Sequence, residues 1–185
     1  YDAIAVGVGT VLADNPALDW EEDSGEKMGN RSEKKRWWKI IFDTRGRTPT
    51  DARLFHNKHA TVILITGEST PHASRTFGQN VHVIPLPEQN GMCSIPAALK
   101  ALAAEGIGKI LVEGGTKLLT SFWHNKTADI LHIFIGAKII GGKGRFVPVE
   151  GSVDPRFGNI HNVRFAKMQP VGNDIYLEAK PCFLE

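Results

Sequence analysis

The chain has 185 residues, of which 42% are hydrophobic and 23% charged. This composition excludes disordered and fibrous proteins and fits one globular domain over residues 1–185. Its 22 basic and 20 acidic residues leave a net charge of +2. The chain therefore lacks the large positive charge that would attract nucleic acid or an anionic membrane. No apolar run approaches the roughly 18 residues of a membrane span. We therefore expect a small-molecule partner.

The two cysteines, Cys93 and Cys182, are too few for a disulfide framework. One bridge between them stays open as an alternative. Without a disulfide framework, the expected environment is a reducing compartment.

Six short runs rich in β-branched residues predict strands, and their apolar character is typical of strands buried on both faces. The runs lie at residues 3–8, 40–42, 61–66, 81–84, 109–112 and 130–135. Residues 95–105 repeat apolar side chains at helical spacing, with Pro96 suited to the first turn and Gly106 to the end. A second helix is predicted over residues 116–125.

The last part of the chain has a different pattern. Residues 163–168 and 175–179 alternate apolar and polar side chains around Gly172-Asn173-Asp174, which predicts an antiparallel hairpin at a sheet edge. The elements together predict an α/β fold with a mixed sheet. Residues 21–36 carry five acids and five bases and are predicted to form a solvated loop.

The first glycine-rich segment is Gly7-Val8-Gly9-Thr10-Val11-Leu12, which follows a strand and opens a helix. Leu12 stands where a dinucleotide fingerprint needs its third glycine, so the Rossmann motif is excluded. Two glycines still let backbone N–H groups approach an anion, and Thr10 offers a hydroxyl. The alternative is a tight turn that binds nothing.

The second glycine-rich segment, residues 113–116, is the stronger candidate, and we call it the glycine turn. A strand ends at Glu113, Gly114 and Gly115 follow, and a helix begins at Thr116. This order predicts an anion-binding turn at the carboxyl edge of the sheet. Glu113 would repel phosphate there unless it contacts a sugar hydroxyl or a heterocycle N–H. The alternative is that Glu113 caps the helix and the glycines serve packing.

A third strand end carries a hydroxyl and two guanidinium groups in Thr44, Arg45 and Arg47. They suit a ribose 2′-phosphate, although a solvated basic turn is an equal alternative. His56 and His59 lack a third ligand for zinc, and Cys93 has no neighbouring histidine in sequence. We therefore expect neither a metal site nor a catalytic thiol.

The order of these segments resembles the reductase domain of bacterial riboflavin biosynthesis. The resemblance rests on residues 2–4, 9–16, 42–45, 48–49, 52–54, 112–115 and 141–142. It implies a dihydrofolate-reductase-like mixed sheet flanked by helices, with NADPH as the cofactor. The implied reaction is reduction of 5-amino-6-(5-phosphoribosylamino)uracil to its ribitylamino counterpart. The resemblance also implies a homodimer, which we expect in the cytoplasm.

The resemblance assigns roles by position. Thr10 and Asp14 correspond to residues near the nicotinamide half of the cofactor, and Thr44 corresponds to a hydroxyl that contacts it. The stretch that wraps the cofactor phosphates is Gly115, Thr116, Lys117, Leu118, Leu119, Thr120 and Ser121. Leu18 and Glu113 take substrate-contacting positions. The family has no obligatory metal and no covalent nucleophile, so no catalytic residue is assigned, and the protein mainly positions two bound molecules.

One departure concerns the substrate phosphate. The family places an arginine shortly after Leu18, whereas this chain has Asp19-Trp20-Glu21. Either a base of the following loop replaces it, or the substrate is handled differently. The candidate bases are Arg31, Lys34, Lys35 and Arg36. We also expect the family's first strand and helix to precede Tyr1 in a parent chain with an N-terminal zinc-dependent deaminase domain.

Two other functions stay open at this point. The missing arginine favours a dihydrofolate-reductase-like enzyme acting on another heterocycle. The missing first strand favours a non-catalytic nucleotide-binding module. A binding module needs the glycine turn but has no need for the carboxylate of Glu113 beside a reaction site.

Overall fold

The computed structural model describes residues 1–19, 37–70, 77–139 and 162–183. They fall into two compact units, Tyr1–Leu119 and Thr120–Glu185. The predicted loop at residues 21–36, with its candidate bases, lies outside the described residues. So does the glycine pair at 141–142.

The first unit contains most of the elements. In chain order they are β1 (Ala3–Gly7), α1 (Val8–Asp14), β2 (Trp38–Phe42), a 3₁₀ turn (Arg53–Phe55), β3 (Thr61–Gly67), β4 (Val81–Leu86), β5 (Glu88–Gln89), β6 (Met92–Cys93), α2 (Ile95–Ala104), β7 (Ile110–Val112) and the start of α3 (Thr116–His124). Five of the strands form a parallel sheet in the order β4-β3-β2-β1-β7. The short strands β5 and β6 pair with each other.

The core of this unit lies on one face of the sheet, against α1 and the 3₁₀ turn. Its buried members are Val6, Val8, Val11, Ile41, Ala52, Leu54, Val62 and Leu64. Every residue of β2 and β3 is buried, which confirms for these two strands the prediction of burial on both faces. Such burial is expected where parallel strands are flanked by helices. For β4, at the edge of the sheet, the prediction was wrong, because His82 is exposed.

Several predicted boundaries differ from those in the structure, and two of the differences have a local physical reason. The first strand ends at Gly7 and Val8 starts α1, because Val8 continues the apolar face of the helix. The second strand begins at Trp38 rather than Ile40. Its second residue is Lys39, which is fully buried, and a lysine inside an apolar run masks the start of the strand.

The predicted helices are confirmed. Ser94 caps α2, and its side chain accepts a hydrogen bond from Ala97 N at 3.4 Å. Pro96 lies in the first turn and the helix ends just before Gly106, as the sequence predicts. No helix among the described residues is long and apolar enough to cross a bilayer.

The second unit contains the rest of α3 and three antiparallel strands, β8 (Leu131–Ile135), β9 (Asn162–Val171) and β10 (Asp174–Cys182), in the order β8-β10-β9. The hairpin turns at Gly172-Asn173, which confirms the prediction. The prediction that β8 is buried on both faces was wrong, because Phe134 is 67% exposed. The α/β class with a C-terminal hairpin is confirmed, with the described parallel and antiparallel strands in separate sheets.

Candidate functional site

Three neighbouring strands of the parallel sheet, β2, β1 and β7, end at the same edge. Thr44 follows β2 in a turn, Thr10 follows β1 in the first turn of α1, and the glycine turn follows β7. Ligands of open parallel sheets bind beyond the carboxyl ends of the strands. The three predicted segments therefore lie at one edge, in the position that such a ligand requires.

Thr10 and the glycine turn are in direct proximity. Gly114 has φ of +105°, a left-handed conformation that L side chains rarely adopt. A Cβ on Gly114 would stand 2.6 Å from Thr10 Oγ1, far inside van der Waals contact. Glycine is therefore required for both reasons, and its absent side chain lets the Thr10 hydroxyl approach the turn.

Gly115 is the N-cap residue of α3. Its carbonyl accepts hydrogen bonds from Leu118 N at 3.1 Å and Leu119 N at 3.3 Å, which starts the helix. A Cβ on Gly115 would meet no atom of the described residues within 4 Å. The described part of the chain thus leaves space for a group beside Gly115, and a helix N-terminus attracts anions through its dipole and N–H groups.

The remaining predicted phosphate-wrapping residues differ in their surroundings. Thr116 and Lys117 lie in the first turn of α3, and the Lys117 side chain is exposed. The Leu118 side chain is 7% exposed, and its Cβ would stand 3.7 Å from a Cβ on Gly7, so it packs on the end of β1. Leu119, Thr120 and Ser121 continue the helix, and Ser121 is buried.

The Thr44 side chain is held by a residue 49 positions away in sequence. Thr44 Oγ1 accepts hydrogen bonds from Cys93 N at 3.0 Å and from Cys93 Sγ at 3.3 Å. A hydroxyl has two acceptor lone pairs and one proton. The Cys93 N–H holds the Thr44 side chain in place, and a hydroxyl held in this position can donate to a phosphate or ribose oxygen.

Asp43 shapes the turn that carries Thr44. Its carboxylate is 1% exposed, and Oδ2 accepts hydrogen bonds from Thr48 N at 2.6 Å and Thr48 Oγ1 at 2.7 Å. Gly46 N donates to Asp43 O at 2.9 Å. Arg45 and Arg47 are thereby presented on the exposed side of the turn.

Three predicted residues are not tied to the glycine turn by any described contact. Asp14 is exposed at the end of α1. Leu18 has φ of +55° and packs in part against the core. Glu113 is exposed, and its N–H donates to Ala5 O at 2.8 Å, which anchors the end of β7 to β1.

Sequence reasoning missed Lys39, Asp43 and Cys93 as organisers of the site. A lysine beside a buried apolar run and an aspartate at a strand end were available signals. Nothing in the sequence links Cys93 to Thr44, because the contact is long-range. His56 and His59 are exposed, and no cluster of metal-binding side chains occurs within the described ranges.

The two cysteines are expected to differ in reactivity. Both are free, Cys93 is buried, and Cys182 is exposed. Burial, with the charges of Glu88 and Asp43, raises the pKa of the Cys93 thiol above its usual 9.0, against the hydrogen bond to Thr44. A disulfide-forming thiol reagent at neutral pH should therefore label Cys182 quickly and Cys93 only after unfolding.

The Cys182→Ser variant is the control. It should lose the fast phase of the labelling reaction and keep the slow labelling of Cys93. Rapid labelling of both thiols in the folded protein would contradict the burial of Cys93.

A raised pKa of the Cys93 thiol also means that the folded state holds the thiol proton more tightly than the unfolded chain. The associated stability is present below pH 9.0 and is lost as the pH rises through the folded pKa.

Known proteins resemble this chain over nearly its whole length. The family model of the RibD C-terminal domain matches residues 1–177. The riboflavin biosynthesis protein RibD of Actinobacillus pleuropneumoniae is 28% identical over 180 residues, which are 96% of this chain and 46% of that protein. This chain thus spans about half the length of that relative. An Archaeoglobus fulgidus protein named 2,5-diamino-6-ribosylamino-4(3H)-pyrimidinone 5′-phosphate reductase is 26% identical over 97% of this chain and 79% of its own length.

Solved structures show the same fold. A Thermotoga maritima protein, a diaminohydroxyphosphoribosylaminopyrimidine deaminase and 5-amino-6-(5-phosphoribosylamino)uracil reductase, aligns with a TM-score of 0.71 and 27% identity over 98% of this chain and 46% of its own. The riboflavin biosynthesis reductase Rib7 of Saccharomyces cerevisiae aligns with a TM-score of 0.68 and 23% identity over 98% of this chain and 75% of its own, which supports the fold alone. With the family model covering nearly the whole sequence, this chain belongs to the RibD C-terminal domain family.

Proposed function

We propose that this chain is a single reductase domain that uses NADPH to reduce 5-amino-6-(5-phosphoribosylamino)uracil to its ribitylamino product. The observation that carries the proposal is the approach of Thr10 to Gly114, beside an open helix N-cap at Gly115. The names of the A. fulgidus and T. maritima relatives support the reaction type. This site offers hydroxyl and N–H donors, as an anionic dinucleotide needs.

The residues at the sheet edge fit the cofactor. The space beside Gly115 can admit a phosphate at the start of α3, and the Thr44 hydroxyl can donate to a cofactor oxygen. Arg45 and Arg47 are exposed and available for a ribose 2′-phosphate. When bound, NADPH supplies the hydride. The protein's own contribution is to orient the two molecules.

Glu113 is proposed to serve the substrate. It follows β7 beside the glycine turn, where a carboxylate would repel the cofactor phosphates. A heterocycle N–H or a sugar hydroxyl is a suitable partner for it. Leu18 is proposed to contact the substrate from the loop after α1, and Asp14 to lie near the nicotinamide.

The first experiment measures NADPH binding and oxidation with and without the substrate. The protein is supplied with the ribosylaminouracil phosphate or with the 2,5-diaminopyrimidinone form named for the A. fulgidus relative. Substrate-dependent oxidation is expected. NADPH binding without turnover of either compound would contradict the proposed substrate, and failure to bind NADPH would contradict the proposed cofactor.

Replacing Glu113 by Gln is expected to lower kcat/KM for the substrate by about tenfold to a hundredfold, since a charge-assisted hydrogen bond contributes about 1.5–3 kcal/mol. The Kd for NADPH should change by less than about twofold, because the amide retains the size of the carboxylate. Steady-state kinetics and a fluorescence titration measure the two quantities. Glu68→Gln, an exposed change at the end of β3, is the control. Wild-type kinetics for Glu113→Gln would refute its role.

We also propose that the enzyme is a cytoplasmic homodimer. The two free cysteines suit a reducing compartment. Closed two-fold dimers are the commonest assemblies of soluble enzymes, and β4 and β9, which end their sheets among the described strands, offer edges for pairing across such an axis. Analytical ultracentrifugation tests the assembly, and a mass of one chain at micromolar concentration would exclude it.

A further inference from the structure

Lys39 is an unusual residue for a buried strand. It is fully buried on β2, whose other four residues are apolar and buried as well. An ammonium group has three donors, and all three of these are used. Lys39 Nζ donates to Ala17 O at 2.7 Å, to Asp19 Oδ1 at 2.7 Å and to Leu54 O at 3.0 Å.

Two of these acceptors belong to the loop after α1, residues 15–19, which we call the Leu18 loop. The acceptors Ala17 and Asp19 flank Leu18 on either side. Leu18 itself has φ of +55°, which is an uncommon conformation for a residue with a branched side chain. Strained backbone of this kind persists only where the surroundings determine it.

Other contacts hold the same loop. Trp37 Nε1 donates to Leu18 O at 3.0 Å, and Asn57 Nδ2 donates to Asp19 Oδ1 at 2.8 Å. Asn15 Oδ1 accepts from Arg53 N at 2.9 Å. Lys39 is the central member of this set, because it bonds the loop at two positions and also bonds the 3₁₀ turn at Leu54.

We propose that Lys39 is a positioning residue that holds the Leu18 loop, and with it Leu18, in the conformation that receives the substrate. This inference rests on the proposed function, since the contact of Leu18 with the substrate is itself part of that proposal. Leu18 packs on the core cluster, and Lys39 bonds the backbone of Leu54, a member of that cluster, so these contacts tie the loop to the core.

The charges of the pair agree with this arrangement. Partial desolvation raises the pKa of the Asp19 carboxyl, but hydrogen bonds from Lys39 and Asn57 and the charges of Lys39 and Arg53 outweigh it and hold that pKa below its usual 3.8. Asp19 is therefore ionised at neutral pH and balances the buried ammonium. An apolar side chain would fill the strand position without the desolvation cost of a charge, so packing alone does not account for a lysine here.

The test compares Lys39→Met with the wild type. Methionine keeps the length of the side chain but removes all three donors. We expect the KM for the ribosylaminopyrimidine phosphate to rise about tenfold or more, since small misplacements of a positioning group have large kinetic effects. The Kd for NADPH should stay within about twofold. Hydrogen exchange of a peptide covering residues 15–19 should become faster.

Two further variants separate positioning from general stability. Lys39→Arg retains the charge and the donors, so its KM should lie between that of Lys39→Met and that of the wild type. Ile63→Val changes a fully buried residue of β3 on the opposite face of the sheet and should leave the substrate KM near the wild-type value. If Lys39→Met fails to fold, Asp19→Ala, which changes a side chain that is 38% exposed, should show the same split between KM and Kd.

The outcomes distinguish this proposal from the proposed function. Absence of turnover by the wild type would reject the function, and hydrogen exchange would then still decide whether Lys39 holds the loop. Faster exchange in Lys39→Met supports the inference. An unchanged KM together with unchanged exchange would overturn it, as would an equal rise in KM for Ile63→Val.

Discussion

Gly115→Asp is expected to weaken NADPH binding by about tenfold or more, which corresponds to at least about 1.4 kcal/mol. The new carboxylate would stand at the N-cap of α3. A Cβ at this position lies more than 4 Å from any atom of the described residues outside its own neighbours. There it can accept hydrogen bonds from the N–H groups of the first turn. It would thus occupy the donors that a phosphate needs and repel the phosphate by its charge.

The same substitution should not lower the stability of the protein. Aspartate is among the preferred N-cap residues and exceeds glycine by only a few tenths of a kcal/mol, so the melting temperature should be unchanged or slightly higher. Loss of binding with retained stability is a combination that a damaged fold cannot produce. It would assign the start of α3 to the cofactor.

Two controls isolate the charge. Gly115→Asn introduces a side chain of nearly the same shape without charge, and it should weaken binding less than aspartate does. Gly115→Ala adds only a Cβ into open space and should bind almost as the wild type. Titration of NADPH fluorescence measures all four proteins. Equal affinity of Gly115→Asp and the wild type would remove the glycine turn from the cofactor site.

Asp43→Ala is expected to be the most destabilising single change in the turn that carries Thr44. It removes the acceptor of both Thr48 N and Thr48 Oγ1, and Thr48 is fully buried. A buried donor that loses its acceptor costs about 1–3 kcal/mol, so a loss of about 2–4 kcal/mol in the free energy of unfolding is expected. Urea denaturation measures this loss.

A matched control is available in the same segment. Asp51 is exposed, and Asp51→Ala should change stability by less than about 0.5 kcal/mol. The NADPH affinity of Asp43→Ala should also fall, because the backbone around Thr44 loses its fixed shape. Equal stability of the two variants would contradict a structural role for the buried carboxylate.

Much of the parallel sheet was predictable, because continuous β-branched runs identify strands that are covered on both faces. The glycine turn was also predictable, since a strand, two glycines and a helix start are adjacent in sequence. The exposure of β8 was not, because an apolar run such as residues 131–135 does not reveal which of its faces is covered.

The candidate site also combines features that the sequence predicted with features that depend on the tertiary structure. Thr10 and Gly115 were identified from local sequence patterns and from the family resemblance. Their proximity through Gly114 depends on β1 and β7 being neighbours in the sheet, although more than 100 residues separate Thr10 from Gly114. The sequence contains no local signal for that pairing.

The amino-acid sequence by itself determined the element types, the class of fold and the residues that end the strands, because these follow from hydrophobic periodicity and turn chemistry over a few neighbouring positions. Only the tertiary structure decided that Cys93 orients Thr44 and that Lys39 binds the Leu18 loop. Those contacts join residues that are about 20 to 50 positions apart. Their geometry arises when the strands pack side by side, which no local pattern of side chains specifies.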